Sequence, residues 1–445
     1  MRRSNVKRTL GNAGHQAATR SRTVTPLFQQ INEQGPVSLA ITALGGLGDG
    51  VGRLASGQVV FVAGLLPGDE ALVTVVGLRK GVARGHVQRL LTPSPQRSQP
   101  ECAAFGVCGG CNLQHLSLAG QLEHKRAQLQ RIVGTAVQVQ ATAIDPHGHR
   151  RRTRMHLRRA VDGLQVGFLA SKSDSIAATP HCLALEPELE ALRRRCAQVL
   201  GPWLQVGEIA AVVGKEGITA LLSAKTNAPP PAAAELAQQL GVVGLRYSIG
   251  HHRDHWGLMD VALPEIEAPW TVRTAADGFC QASATANRAL RATIAQVLDM
   301  AGPHESAQEF FAGAGNFTDL LLHRYGHVRA LERDAHACTR LAQSAAAAGW
   351  GQRLHVVQSQ VAAALTPPHG RQLWLLDPGR LGAPEVTAAA TKWRPQSVVY
   401  VSCALDTLGR DCATLVNAGY RPVAAAVVDA FPWTVHTETV TLFCQ

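Results

Sequence analysis

"AQEFFAGAGNFTDLLLHRYGHVRALERDAHACTRLAQ", residues 307–343, is the stretch whose pattern decides the fold. An apolar strand runs into Gly313-Ala314-Gly315, a helix begins, and a second strand follows and ends in Glu332. Strand, glycine turn, helix, strand and acid is how a parallel, doubly wound sheet opens. A glycine turn after the first strand lets a ligand approach the backbone. An acid at the end of the second strand can accept both hydroxyls of a ribose. The dinucleotide fingerprint needs a third glycine, which is absent. A helix N-terminus would favour a pyrophosphate, whereas the shorter Gly-x-Gly-Asn-Phe with a following acid suits S-adenosylmethionine, whose charge is a sulfonium.

Working outward, helix and strand alternate from about residue 271 to the end. "LWLLDPGRLG", residues 373–382, is an apolar strand ending at Asp377-Pro378, and "VVYVSC", residues 398–403, ends in the same way at Cys403. Ligands bind outside the carboxyl ends of strands in such sheets, so Asp377 and Cys403 are expected beside the cofactor crevice. Taken alone, Asp377 also reads as a turn residue or helix cap, and Cys403 as a small packing residue.

Residues 35–93 alternate short Val-rich strands with glycine turns and read as a small β-barrel, with Leu66-Pro67-Gly68-Asp69 as a turn and Arg79, Lys80, Arg84 and Arg89 toward its end. Barrels with a basic edge suit single-stranded RNA. "PSPQRSQP", residues 93–100, is a linker by composition. In "HRRRTRMHLRRAVDGLQVGF", residues 149–168, Arg150, Arg152, Arg154, His156 and Arg158 fall at period two, so one strand face carries the charge. That face suits phosphates; a solvated edge strand that resists aggregation is the other reading.

Cys102, Cys108 and Cys111 stand as C-x5-C-x2-C, with Gly109 and Gly110 letting the backbone wrap closely. Cys182, on a loop beside Pro180 and His181, is the fourth ligand the pattern needs. Four thiolates fit either zinc or an iron–sulfur cluster. Cys196, Cys280, Cys338, Cys412 and Cys444 read as packing residues.

Net charge is +11 over 445 residues, a bias toward a polyanionic partner. Residues 1–34 hold six Lys or Arg and one Glu, and read as a disordered basic arm, with a transit peptide as the alternative. No apolar run approaches the eighteen or so residues of a membrane span, and the basic start lacks an apolar signal core, so a cytoplasmic protein is expected.

These residues together resemble the RNA 5-methyluridine methyltransferase family, along nearly the whole chain after the arm. The resemblance implies a Rossmann-like S-adenosylmethionine methyltransferase domain over 271–445, a central α+β domain over 94–270 and an OB-like TRAM barrel over 35–93, an α/β protein overall. It implies a 4Fe–4S cluster on Cys102, Cys108, Cys111 and Cys182. "DGFCQAS", residues 277–283, resembles the family's Phe-x-Gln-x-Asn segment and makes Gln281 a cofactor contact. "FFAGAGNFT", residues 310–318, resembles its cofactor loop and carries cofactor roles onto Phe311, Gly313 and Asn316. Glu332 and Asp377 match further cofactor contacts, Cys403 falls on the nucleophile, and in "DAFPWTVHTETVTLF", residues 429–443, Glu438 falls on the general base. The partner implied is RNA, ribosomal rather than transfer, acted on by a monomer. Three departures stand out: Gly379 in place of the second Pro of Asp-Pro-Pro-Arg, Ala404-Leu405 in place of Asn-Pro after the cysteine, and Ser283 in place of the Asn of the Gln-x-Asn segment. They supply the alternative of an RNA-binding paralogue with impaired catalysis, or of a changed substrate such as transfer RNA.

Overall fold

The computed structural model describes residues 35–79, 82–226 and 228–445. The basic arm and Lys80 lie outside the described residues. The chain divides into two compact units, one built on residues up to Ser94 and one on Pro95–Gln445.

The first unit is a closed barrel of β1 (Val37–Leu44), β2 (Gly50–Arg53), β3 (Val59–Val62), β4 (Glu70–Arg79) and β5 (Val82–Thr92), in the order β1-β2-β3-β5-β4. Alternate residues fill it: Leu39, Ile41, Val60, Val62, Val73 and Val75 are buried. Gly85 has no room for a side chain, since a Cβ there would overlap Val73 Cγ1. At the turn, Asp69 is buried and accepts the N–H groups of Leu66 at 2.6 Å and Ser94 at 2.7 Å, so one carboxylate ties the turn to the end of the barrel.

The second unit opens with the cysteine loop and α1 (Leu118–Val133), then β6 (Val139–Thr142). A six-stranded sheet follows, built from β7 (Arg152–Ala160), β8 (Gly163–Gly167), β9 (Leu204–Gly214), β10 (Gly217–Thr226), β11 (Gly244–Ile249) and β12 (His252–Gly257), in the order β12-β11-β10-β9-β7-β8. One face is covered by α2 (Pro187–Leu200) and α3 (Ala233–Leu240), over a core that includes Met155, Leu157, Ile209, Leu222 and Leu245. The strand with the arginines, β7, lies between β9 and β8, so the solvated-edge reading does not hold: β8 is the edge.

A two-stranded ribbon, β13 (Asp260–Ala262) and β14 (Arg273–Ala275), leads into α4 (Ala284–Met300), β15 (Ser306–Phe310), α5 (Thr318–Leu322), β16 (His327–Glu332), α6 (Ala335–Ala347), β17 (Leu354–Gln358), β18 (Gln372–Leu376), α7 (Pro384–Trp393), β19 (Ser397–Ser402), α8 (Leu405–Asn417), β20 (Arg421–Val428) and β21 (Glu438–Cys444). The sheet order is β17-β16-β15-β18-β19-β21-β20-β6, with β21 antiparallel to both its neighbours. Its strands are apolar on both faces because both are covered. Val399 and Val401 face the α4 side, and Val398 and Tyr400 the side of α1, α7 and α8. The sequence suggests 94–270 as one central domain, yet α1 and β6 pack on this C-terminal sheet, against β20 and α8. Nothing local announces that pairing: β6 has four residues and its partner strand begins at Arg421.

Candidate active site

The parallel register brings the carboxyl ends of β15, β16, β18 and β19 to one edge. Phe310 lies beside both Leu331 and Leu376, and Leu376 beside Tyr400. Just past those residues stand Phe311, Glu332, Asp377 and Cys403. Phe311 has φ +64°, a left-handed conformation costly for an aromatic residue. It turns the chain into the glycine loop, where Ala312 donates its N–H to Leu331 at 3.0 Å. Gly313, with φ +57°, donates to Glu332 Oε2 at 2.9 Å. Glu332 Oε1 accepts the N–H groups of Arg333 and Asp334, each at 2.7 Å. Three of about four acceptor directions on that carboxylate are therefore used, so a ribose would take the remaining one or displace a backbone bond.

Gly315 is fixed by packing. A Cβ there would meet Leu341 at 2.6 Å and Trp270 at 2.9 Å, while the Trp270 indole donates to the Gly315 carbonyl at 3.0 Å. Asn316 is matched amide to amide with Asn287, at 2.8 and 2.9 Å. Asn287 also donates to Glu265 at 2.6 Å, Glu265 pairs with the buried guanidinium of Arg151, and Arg151 Nε donates to the carbonyl of Gln281 at 2.9 Å. Gln281 is buried at this junction. Its neighbour Ser283 caps α4, accepting the Ala286 N–H at 3.2 Å, which accounts for a short polar residue where the family has Asn. Sequence reading did not single out Arg151, Glu265, Trp270 or Asn287. Only their buried side chains, far apart in the chain, reveal them.

Antiparallel pairing sets Ser402 opposite Thr439. Cys403 is the first residue past β19 and Glu438 the residue before Thr439, so the ends of the two strands bring them to the same corner of the sheet, where the Glu438 carboxyl acts on the thiol. Glu438 begins β21 and is buried; burial first, then the nearby Asp377, pushes its carboxyl up to about 8, against the pull of Arg380. Burial pushes Asp377 up to about 7. The Cys403 thiol is half-buried and pushed up to about 11, by burial first and then by Glu438 and Asp377, with Arg380 opposing. His436 lies before β21 begins and is exposed.

After Cys403 the chain enters α8. Ala404 is its cap residue and offers no side-chain acceptor; Ser402 Oγ instead accepts the Ala404 N–H at 3.1 Å. At Gly379 a Cβ would touch nothing, so no contact explains the departure there.

In the cysteine loop, Cys102, Cys108, Cys111 and Cys182 are free and half-buried. Burial raises Cys108, and the Cys102 thiol adds to that. Burial pushes Cys111 up to about 11, with Cys182 and Cys108 adding and Arg150 opposing. Burial likewise raises Cys182, against the N–H groups of Ala184 and Leu185. Gly110 directs its N–H at Cys108 Sγ, 3.4 Å away. Among the described residues, no three His, Cys, Asp or Glu groups converge as around a single metal ion. Cys196, Cys280, Cys338 and Cys412 are buried.

The TRAM domain family matches residues 37–88. The 23S rRNA (uracil(1939)-C(5))-methyltransferase RlmD of Klebsiella pneumoniae (strain 342) is 33% identical over 426 residues, covering 92% of this chain and 95% of its own length. The same enzyme of Salmonella typhimurium is 33% identical over 430 residues, covering 92% and 96%. The crystal structure of Pyrococcus abyssi tRNA (uracil-54, C5)-methyltransferase in complex with S-adenosyl-L-homocysteine has a TM-score of 0.70 at 21% identity, over 92% of this chain and all of that one, a likeness of fold.

Proposed function

The chain belongs to the RNA uracil-C5 methyltransferase family, and from that membership we propose that it moves a methyl group from S-adenosylmethionine to carbon 5 of a uridine in RNA. One observation carries the assignment to residues: the last β19–β21 pair, Ser402 with Thr439, leaves Cys403 and Glu438 each one residue from it, and the Glu438 carboxyl acts on the Cys403 thiol, at the sheet edge where the Gly313 loop also lies. Ribosomal RNA is favoured over transfer RNA because the named relatives match nearly end to end.

Carbon 5 of uracil is a poor nucleophile. Attack of the Cys403 thiolate on carbon 6 forms a C–S bond and sends the ring's electron pair toward carbon 5 as an enolate. Carbon 5 then takes the methyl group, and the donor leaves as the neutral thioether. Glu438 removes the remaining proton from carbon 5; the electrons return to the ring and the C–S bond breaks. Cys403 begins as a thiol, so its proton must leave first, and Glu438 and Asp377, the buried acids whose charge acts on it, are the groups that would take it. Arg380 opposes the crowding of negative charge on Cys403 and Glu438. Gly313 and Glu332 hold the loop that would receive the donor's ribose, while Phe311, Asn316 and Gln281 line or brace that end of the sheet. The target base must leave its stack to reach the thiol, so an unpaired or loop uridine is the expected substrate.

The four cysteines, Cys102, Cys108, Cys111 and Cys182, are free thiols that would ligate the 4Fe–4S cluster the family pattern implies, a donor set that four-coordinate zinc would also accept. Such a cluster would cross-link the loop; methyl transfer is redox-neutral and asks no electron of it. No helix among the described residues is long and apolar enough to cross a membrane, and we read the protein as a monomer of the cytoplasm.

A second reading, an RNA binder with impaired catalysis, is favoured by the uncapped start of α8 beside the nucleophile. Labelled S-adenosylmethionine and RNA from cells lacking the modification separate the two. Label should enter carbon 5 of uridine with the unchanged protein and be lost with Cys403→Ala. Methylation that survives Cys403→Ala refutes the covalent route, and no methylation by the unchanged protein favours the binder.

A further inference from the structure

Among the described residues, no helix covers one face of the six-stranded sheet beyond its Val212 end, where Val212 joins the C-terminal core. Strand register follows it residue by residue. Arg154, His156 and Arg158 of β7 oppose Ala210, Glu208 and Val206 of β9. These oppose Leu221, Ser223 and Lys225 of β10. Leu221 and Ser223 pair with Arg246 and Ser248 of β11, and those with His255 and Arg253 of β12. The alternate residues Met155, Leu157, Ile209, Leu222 and Leu245 lie in the core on the helix side. The uncovered face therefore carries the basic set of β7 at one end and a second basic set, Lys225, Arg246, Arg253 and His255, at the other. All four of the latter are exposed.

Cations outnumber acids on this face. Glu208 is the acid among the paired positions, where it holds Arg154 at 3.0 Å and His156 at 3.2 Å, and Asp277 pairs with Arg246 from outside the sheet. These pairs are solvent-exposed, and such pairs are worth little, so a phosphate can replace the carboxylate. Two hollows mark the two ends. One, of about 630 Å³, is lined by Arg154, His156 and Lys172, by the Gly109-Gly110 backbone of the cysteine loop, and by one acid, Asp174. The other, of about 500 Å³, is lined by Leu221, Arg246, Ser248, Arg253 and His255, with one acid, Asp254. Strands about 4.8 Å apart make this a platform roughly 20 Å across from β7 to β12.

We infer that this uncovered face, from β7 to the β12 edge, binds a single strand of RNA through its phosphates, away from the uridine being modified. The inference rests on RNA being the substrate and names the surface that holds the RNA's flank. Arginine forks suit phosphate oxygens, and the paired positions just traced carry no Phe, Tyr or Trp, so the RNA is held mainly by its backbone.

The test uses the full chain and polyuridylate as the probe, with affinity measured across a range of salt. Combining Lys225→Ala, Arg246→Ala and Arg253→Ala should weaken binding about tenfold or more and flatten the slope of log affinity against log salt by about 2, at roughly 0.7 for each phosphate that the protein no longer neutralises. S-adenosylmethionine affinity and the unfolding transition should not move. Arg194→Ala, on the helix-covered side, should leave the slope alone. If the unchanged protein binds with a salt slope that the triple variant keeps, the inference is overturned while RNA binding stands. If the unchanged protein shows no salt-dependent binding, both fall. Methyl transfer is scored separately, so a catalytic defect cannot mimic either result.

Discussion

Glu438 and Asp377 are two buried acids set against one thiol, and their burial dictates how the site must respond to pH. Glu438 keeps its proton up to about 8, where an ordinary glutamate releases it at 4.5. A general base must first lose that proton, so turnover should rise with pH through about 8. Stability runs the other way. A carboxyl that binds its proton more tightly when folded favours folding below its ordinary pKa, and that contribution is lost as pH rises from 4.5 through about 8. Glu438→Gln should therefore slow turnover about 10²–10⁴-fold and leave a covalent RNA adduct. The same change should raise the unfolding temperature above pH 8 and have little effect near pH 4. Gel-shift detection of the adduct and melting at the two pH values check both halves; lower stability at high pH would sink the burial account. Asp377→Asn removes the like charge that helps hold Glu438 up. The midpoint of the pH–rate profile should then move to lower pH, and an unmoved midpoint would mean that the two acids do not interact.

At the scale of elements, the departures from the family's pattern turn out to be questions about helix starts. Ser283 works as a cap where the family has Asn, because either side chain can accept the N–H of the first turn. Ala404 cannot, and α8 begins with its backbone alone. Its φ of −140° and ψ of 101° already suit a capping residue. Ala404→Asn should stabilise the protein by about 1 kcal/mol, read as a shift in the denaturant midpoint. Leu405→Pro sits at the first helical position, where proline is tolerated. If the pair also raises kcat, the native Ala-Leu slackens the nucleophile's loop; unchanged kcat would show that the departure is neutral for chemistry. The strands that carry Glu332 and Asp377 were legible because each stops at a residue that apolar packing does not explain; Cys403, taken alone, reads as a packing residue and stands out only because its strand ends in the same way. The period-two arginines of β7 were legible for the same reason, since Met155 and Leu157 alternate with them. Illegible were α1 and β6, whose place on the C-terminal sheet depends on a strand far along the chain.

For the whole second unit, the connections that hold the site are long in sequence, and this is why sequence pattern missed them. The chain leaving Cys111 runs directly into a clamp on the loop that precedes Glu438. The N–H groups of Asn112 and Leu113 both donate to the Trp433 carbonyl, at 2.9 and 2.8 Å. Asn112 Oδ1 accepts the Val435 N–H at 3.1 Å, and Gln121 Oε1 accepts the Trp433 N–H at 2.7 Å. Lys125, wholly buried, reaches Asp429 at 2.5 Å and the Phe431 carbonyl at 3.1 Å. Trp433 is held at φ +65°, a left-handed conformation that only such over-determination keeps. The cysteine loop thus bears on the loop before Glu438 through hydrogen bonds, so a metal centre bound there would have a mechanical part in the proposed redox-neutral reaction. Asn112→Ala, a half-buried change, should lower kcat about tenfold, the worth of one or two hydrogen bonds, and raise the fraction of enzyme trapped as adduct. Asn112→Asp, which keeps the acceptor for Val435, should recover most of the loss. Cys108→Ser should act in the same direction, with S-adenosylmethionine affinity unchanged. Adduct levels equal to those of the unchanged protein in both Asn112→Ala and Cys108→Ser would show that the loop orders nothing at Glu438, and that the clamp serves folding alone.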